Sequence, residues 1–157
     1  MRTYRLHTQL WLPRPRQEIF NFFSDPTNLE RITPPWLRFK ILTLQPIDMK
    51  VGTRLDYRLR LRGIPLRWQS EIAVWEPPDR FIDKQTRGPY TLWVHEHTFT
   101  DHKSGTLVGD GVLYAILGGK LIQKFLVQPD LERIFRYRHQ VLQKIFNPSD
   151  AISSPQC

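Results

Sequence analysis

From Trp36 to Ile116 apolar and polar residues alternate with a period of two, the signature of strands with one buried face. Leu55, Tyr57, Leu59 and Leu61 interleave with Asp56, Arg58, Arg60 and Arg62, so one side of that strand is apolar and the other strongly charged. Turn residues at Pro46, Gly52, Gly63, Pro77-Pro78, Gly88-Pro89 and Gly105 divide the stretch into strands over 37–45, 53–62, 66–76, 80–87, 91–101 and 106–116. The connections are short, which makes these six strands an antiparallel meander.

Ahead of the meander, Tyr4, Leu6, Thr8, Leu10 and Leu12 share a face and predict a first strand. Pro15 pre-sets the first turn of a helix whose apolar side is Ile19, Phe20, Phe22 and Phe23, and Asp25-Pro26 stops it. A second short helix runs to Thr33-Pro34-Pro35. After Gly118-Gly119 the period becomes helical: Leu121, Ile122, Phe125 and Leu126, then Leu131, Ile134, Phe135, Leu142 and Ile145, recur every three or four residues. A long C-terminal helix is expected, bent near Phe125–Pro129 because Pro129 removes a backbone donor and clashes with the carbonyl four residues back. The reading is one domain over 1–147 and a frayed tail, NPSDAISSPQC, over 148–157.

The chain's 157 residues suffice for one core with room for a cavity. No apolar run approaches the roughly 20 residues of a membrane span, and MRTYRLHTQLWLP alternates where a signal peptide would be continuously apolar. The expected location is cytoplasmic, with peripheral contact to a membrane as an option. A single cysteine, Cys157, leaves no internal disulfide and no cysteine-based metal site. The net charge of +8 would attract anionic membrane, nucleic acid or acidic partners, but it is spread without a block of like charges.

In GPYTLWVHEHTF, Gly88 to Phe99, the spacing by twos sends Trp93, His95, His97 and Phe99 to one face of a strand. Two imidazoles between large aromatic rings make either an unusually polar core or the wall of a pocket.

A strand, two short helices, six antiparallel strands and a long last helix is the order of the helix-grip fold. In this α+β fold a curved antiparallel sheet, here of about seven strands, wraps the final helix around an internal cavity. The sequence resembles the START/SRPBCC superfamily, which includes the birch pollen allergen, polyketide cyclases and coenzyme Q-binding proteins. PWLRFKI, GTRLDYRLRLRGIPLRW, WEPPDRFIDKQTRGPYTLWVHEHTF and IFRYR are similar to a bacterial branch described as ligand-binding or cyclase/dehydrase-like. The chain departs from that branch at YAILGGK, Tyr114 to Lys120, where a proline is expected after the tyrosine, and this bears on how the last strand leaves the cavity rim.

The resemblance implies a cavity, and two large aromatics beside the histidines place Trp93, His95, His97 and Phe99 toward it. The imidazoles either orient a ligand or simply hydrogen-bond each other, carboxylates or water. His-x-His with Asp110 on the next strand is a weak metal motif, and no metal or other cofactor is assigned. Tyr57, Trp68, Tyr114 and Tyr137 pair an aromatic body with one polar atom and are further ligand-contact candidates, as is Asp110, with Gln85 and Trp75 as lesser ones. Asp56, Arg58, Glu71 and Glu96 read as solvated outer charges.

No glycine-rich phosphate loop or nucleophile elbow is present, and Gly109-Asp110-Gly111 lies in a strand. The preferred function is binding, with transport or presentation, of a lipid, quinone, isoprenoid or aromatic polyketide-like molecule. The alternative is a cyclase, dehydratase or isomerase using His95 or His97 as acid and base. A histidine held by a carboxylate such as Asp110 and open to the cavity favours chemistry; histidines tied to backbone favour binding alone. A third reading is a protein-interaction module with basic outer strands. Specific nucleic-acid binding is not expected, because the Arg58, Arg60 and Arg62 face carries no aromatics.

Overall fold

The computed structural model describes residues 1–147. The predicted tail over 148–157 lies outside the described residues. The elements are β1 (Tyr4–Leu12), α1 (Arg16–Ser24), α2 (Thr27–Ile32), β2 (Lys40–Ile41), β3 (Arg54–Leu61), β4 (Ile64–Glu76), β5 (Arg80–Arg87), β6 (Leu92–His102), β7 (Gly105–Ala115), α3 (Gly119–Ile122) and α4 (Gln128–Phe146). All pairings are antiparallel, in the order β1-β7-β6-β5-β4-β3-β2. This is the helix-grip α+β fold.

The hairpins follow from their turn residues. Arg62 and Gly63 join β3 to β4 with φ of 49° and 79°, and Lys103 and Ser104 join β6 to β7 with φ of 44° and 61°. Two positive φ values in a two-residue loop match the right-handed twist of the strands. Register shifts in β4 at Gln69/Ser70 and Ile72/Val74 help bend the sheet. A Cβ at Gly109 would stand 2.4 Å from Thr98 Oγ1, so that position accepts only glycine without rearrangement. On the concave side α1 buries Ile19, Phe20 and Phe23, and Phe20 packs edge-on against Phe99. α4 buries Leu131, Phe135, Arg138, Leu142 and Phe146, one stripe at helical spacing that includes a charge.

Two expectations fail. The strand expected over 37–45 shrinks to Lys40–Ile41, paired with Arg58 and Tyr57, because Pro35–Leu37 forms a 3₁₀ turn and Arg38 takes a left-handed conformation (φ 45°). The start of the terminal helix is also turned outward. Leu121, Ile122, Phe125 and Leu126 are exposed, and the buried residue is Gln123, whose Nε2 donates to the Tyr114 hydroxyl at 3.1 Å. Residues Gln123–Val127 form a π-helical turn in which the Gln128 N–H donates to the Gln123 carbonyl. That wider turn sits immediately before Pro129, where a bend was expected, and shifts the helical face relative to a 3.6-residue period.

Candidate functional site

A cavity of about 210 Å³ lies between the concave face of the sheet and α2 and α4. Its walls are mostly apolar, supplied by side chains such as Leu55, Leu59, Trp68, Trp93, Leu131 and Phe135. One corner is polar, and there Tyr57, Ser70, Asp83, His95, His97 and Arg138 converge. The pleat explains this: positions 93, 95 and 97 of β6 point inward, as do 81 and 83 of β5 and 68, 70 and 72 of β4.

Cross-strand register sets the geometry of the corner. Asp83 is opposite His95 and Asp110 is opposite His97, yet the hydrogen bonds run diagonally. His95 Nε2 bonds Asp110 Oδ1 at 2.7 Å, and His97 Nε2 bonds Asp83 Oδ2 at 2.9 Å. His97 Nδ1 lies 3.3 Å from Asp110 Oδ1 without hydrogen-bond alignment, and His95 Nδ1 lies 3.9 Å from Asp83 Oδ2. The two rings are 3.8 Å apart between centroids. Arg138 reaches in from α4 with Nη2 3.9 Å from Asp110 Oδ1, its guanidinium over Phe23 and Phe135, and its buried Nε has no partner.

The electrostatics are those of a closed ionic cluster. Burial opposes the charge of Asp110, but Arg138 and both histidines outweigh it and hold the carboxyl well below its ordinary range. Asp83 is lowered in the same way, with His97, His95 and Arg138 outweighing burial. Burial also opposes the charge on His97, yet the two carboxylates prevail and its pKa is raised. His95 is lowered, first by burial and then by the neighbouring His97 charge. Of the two imidazoles, His97 is the one whose surroundings favour a proton. Burial, and then the charge of Asp83, pushes the Tyr57 hydroxyl well up.

Among the predicted contact residues, Tyr57, Trp68, Trp93, His95 and His97 line the cavity. Asp110 stands behind the histidines. Phe99 is core, packed on Phe20 and Phe23. Gln85 clamps the backbone of Tyr90 through both amide atoms, and it is Tyr90 that reaches the cavity. Tyr114 is buried against Tyr4, and Tyr137 packs edge-on against Trp36, both outside the lining. Trp75 packs on Phe20 and Phe81. Glu71 pairs with Arg54 and Lys84, and Glu96 with Arg80, on the outer face; Asp56 accepts from Gln69.

Asp83, Ser70 and Arg138 were not singled out from the sequence. Arg138 had a signal, a cation at helical spacing on the stripe of Leu131, Phe135 and Leu142. Asp83 had one too, alternating with Phe81. Among the described residues, Asp83, His95 and His97 form a group able to hold a metal, their ligand atoms within 4.8 Å of one another, with Asp83 where Asp110 was expected. Asp83 and Asp110 there already face Arg138 and both imidazoles, and a divalent ion would have to compete with any proton on the imidazoles.

Similar proteins share this architecture. The protein TTHA0849 from Thermus thermophilus is 17% identical with a TM-score of 0.70, over 96% of this chain and 100% of that one. Major latex-like protein 151 from Panax ginseng is 15% identical with a TM-score of 0.70, over 93% and 99%. Protein Ms6760 from Mycobacterium smegmatis is 17% identical with a TM-score of 0.68, over 92% of each chain. No curated protein matches the sequence. Family and fold together support a hydrophobic ligand-binding role. Residues 12–136 match the family model described as polyketide cyclase/dehydrase and lipid transport, and the chain belongs to that family.

Proposed function

We propose that the protein binds an amphipathic small molecule, an apolar body with one oxygenated end, inside the cavity. The observation that carries this reading is a cavity whose walls are mostly aromatic and aliphatic and whose histidines, Asp83 and Arg138 gather at one corner. Such an arrangement orients a ligand: burial of the apolar body contributes roughly 25 cal/mol per Å², and the few polar groups fix its direction. Lipids, quinones, isoprenoids and aromatic polyketide-like molecules have this character. Arg138, whose buried Nε has no hydrogen-bond partner, is the group placed to meet the oxygenated end, since the Ser70 hydroxyl already accepts from Trp68 and donates to Asp83. Titration with the fluorescent probe anilinonaphthalene sulfonate tests the reading. Wild type should bind it in an apolar environment, and Leu59→Trp, which fills the cavity, should lose it while remaining folded by circular dichroism. No binding, or equal binding by both proteins, rejects the cavity as the site.

A second reading, acid–base chemistry on a bound carbonyl compound, is favoured by one observation. His95 is held by Asp110, lines the cavity and is shifted down beside a His97 that is shifted up, so the two imidazoles differ in the direction a base and an acid require. On that reading a β-diketone probe in heavy water exchanges deuterium faster with wild type than with His95→Gln. Equal rates reject it.

A further inference from the structure

The segment from Leu117 to Val127 is amphipathic in the wrong sense for a helix packed on a core. Its polar Gln123 faces inward, and Leu117, Leu121 and Phe125 are 79%, 71% and 63% exposed. Ile122 and Leu126 complete the face, and Ile64, at the tip of the β3–β4 hairpin, is exposed as well. So many exposed apolar side chains within one short segment mark an interaction site.

The charges around it select the partner. Tyr4 pairs with Tyr114, Leu92 with Ala115 and Gln69 with Arg87, so the start of β1, the β3–β4 tip, the β5–β6 loop and the end of β7 lie at one end of the sheet. Exposed Arg2, Arg5, Arg67, Arg87, Lys120 and Lys124 gather there. The residues from Ile116 to Val127 include no carboxylate, and Asp130, the first one beyond them, is taken by Arg62 in a bidentate pair at 3.0 Å. Glu76, Asp79 and Asp101 sit at the turns of the opposite end. A two-fold dimer through this face would set like charges against each other. An anionic bilayer instead meets both features, with apolar side chains entering at headgroup depth and cations resting on the lipid phosphates.

We propose that this end of the molecule, centred on Leu121 and Phe125 and flanked by Lys120 and Lys124, docks on an anionic lipid bilayer. The docking stands independently of the cavity reading, although Leu61, Tyr90 and Leu131, at this same end, line the cavity. Co-sedimentation with vesicles of phosphatidylcholine, with and without phosphatidylglycerol, provides the test. Wild type should pellet only with the anionic vesicles. Leu121→Ser/Phe125→Ser and Lys120→Gln/Lys124→Gln should each weaken that binding by about tenfold or more. All of these side chains are exposed, so unfolding temperature and anilinonaphthalene sulfonate binding should stay unchanged, which separates this result from a failure of the cavity reading. Absence of wild-type pelleting, or binding unaltered in both double variants, overturns the proposal. So does a wild-type dimer in sedimentation equilibrium that Leu121→Ser/Phe125→Ser dissolves, which would assign the face to self-association.

Discussion

One oxygen of Asp110 meets His95, His97 and Arg138 at 2.7, 3.3 and 3.9 Å in a site 2% exposed. Asp110→Asn keeps the volume and removes the charge. The His97 pKa should then fall from its raised position, and stability should drop by about 3–5 kcal/mol, the range for removing one partner of a buried ion pair. Imidazole titration by NMR and urea unfolding read these two effects; an unmoved His97 would mean that Asp83 alone holds the proton. The pH dependence has a definite sign. A folded His97 pKa above 6.5 contributes stability that is complete below pH 6.5 and is lost as pH rises through the folded value. Asp83 and Asp110 contribute above their unfolded value of 3.8 and lose it as pH falls through their lower folded values. His95, lowered, takes stability away as pH falls below 6.5. Wild type should therefore lose stability on the alkaline side of pH 6.5, and Asp110→Asn should lose much less there. His95→Phe is a poor probe of ligand contact, because it strands the Asp110 carboxylate whatever it does to binding. The sequence carried the inward face of β6 in its spacing of two. It could not carry the diagonal bonds, which depend on the register of β5 and β7 against β6 and on the rotation of α4 that delivers Arg138.

At the level of elements, strands defined by a period of two and by turn residues were readable, and the start of the terminal helix was not. Reading Leu121, Ile122, Phe125 and Leu126 as inward assumes 3.6 residues per turn from the start, and the π-helical turn over Gln123–Val127 breaks that assumption. Two causes are available: Pro129, which cannot donate to the carbonyl four residues back, and the bond anchoring Gln123 to Tyr114. Pro129→Ala separates them. With the donor restored the turn should revert to α-helical spacing, visible in a crystal structure and as a slowly exchanging amide at position 129. A π-helical turn that persists would assign it to the Gln123 anchor. The β3 face needs a similar correction. Arg58 and Arg60 are exposed as the alternation required, but Arg62 is bonded to Asp130 and ties the β3–β4 tip to α4, so it is not a free surface charge.

On the scale of the whole molecule, no helix among the described residues is long and apolar enough to cross a membrane, and the fold keeps an internal space that packing alone would close. Side chains lining a space of about 210 Å³ go without the contacts that close packing would give them. The resemblance to the helix-grip superfamily implied a cavity in advance, but its polar corner was not legible, since the corner forms only when strands distant in sequence bring their inward residues together. If the void is retained for binding, filling it should exchange one property for the other. Leu55→Phe adds ring volume at a buried wall position without touching the ionic corner, and should raise the unfolding temperature by several degrees, at ~2–4 °C per kcal/mol for a chain of this size. The same variant should bind anilinonaphthalene sulfonate more weakly than wild type. Calorimetry and probe titration on one preparation decide the matter: a lowered unfolding temperature would mean that the wall around Leu55 is already full, and undiminished probe binding would place the probe outside the cavity.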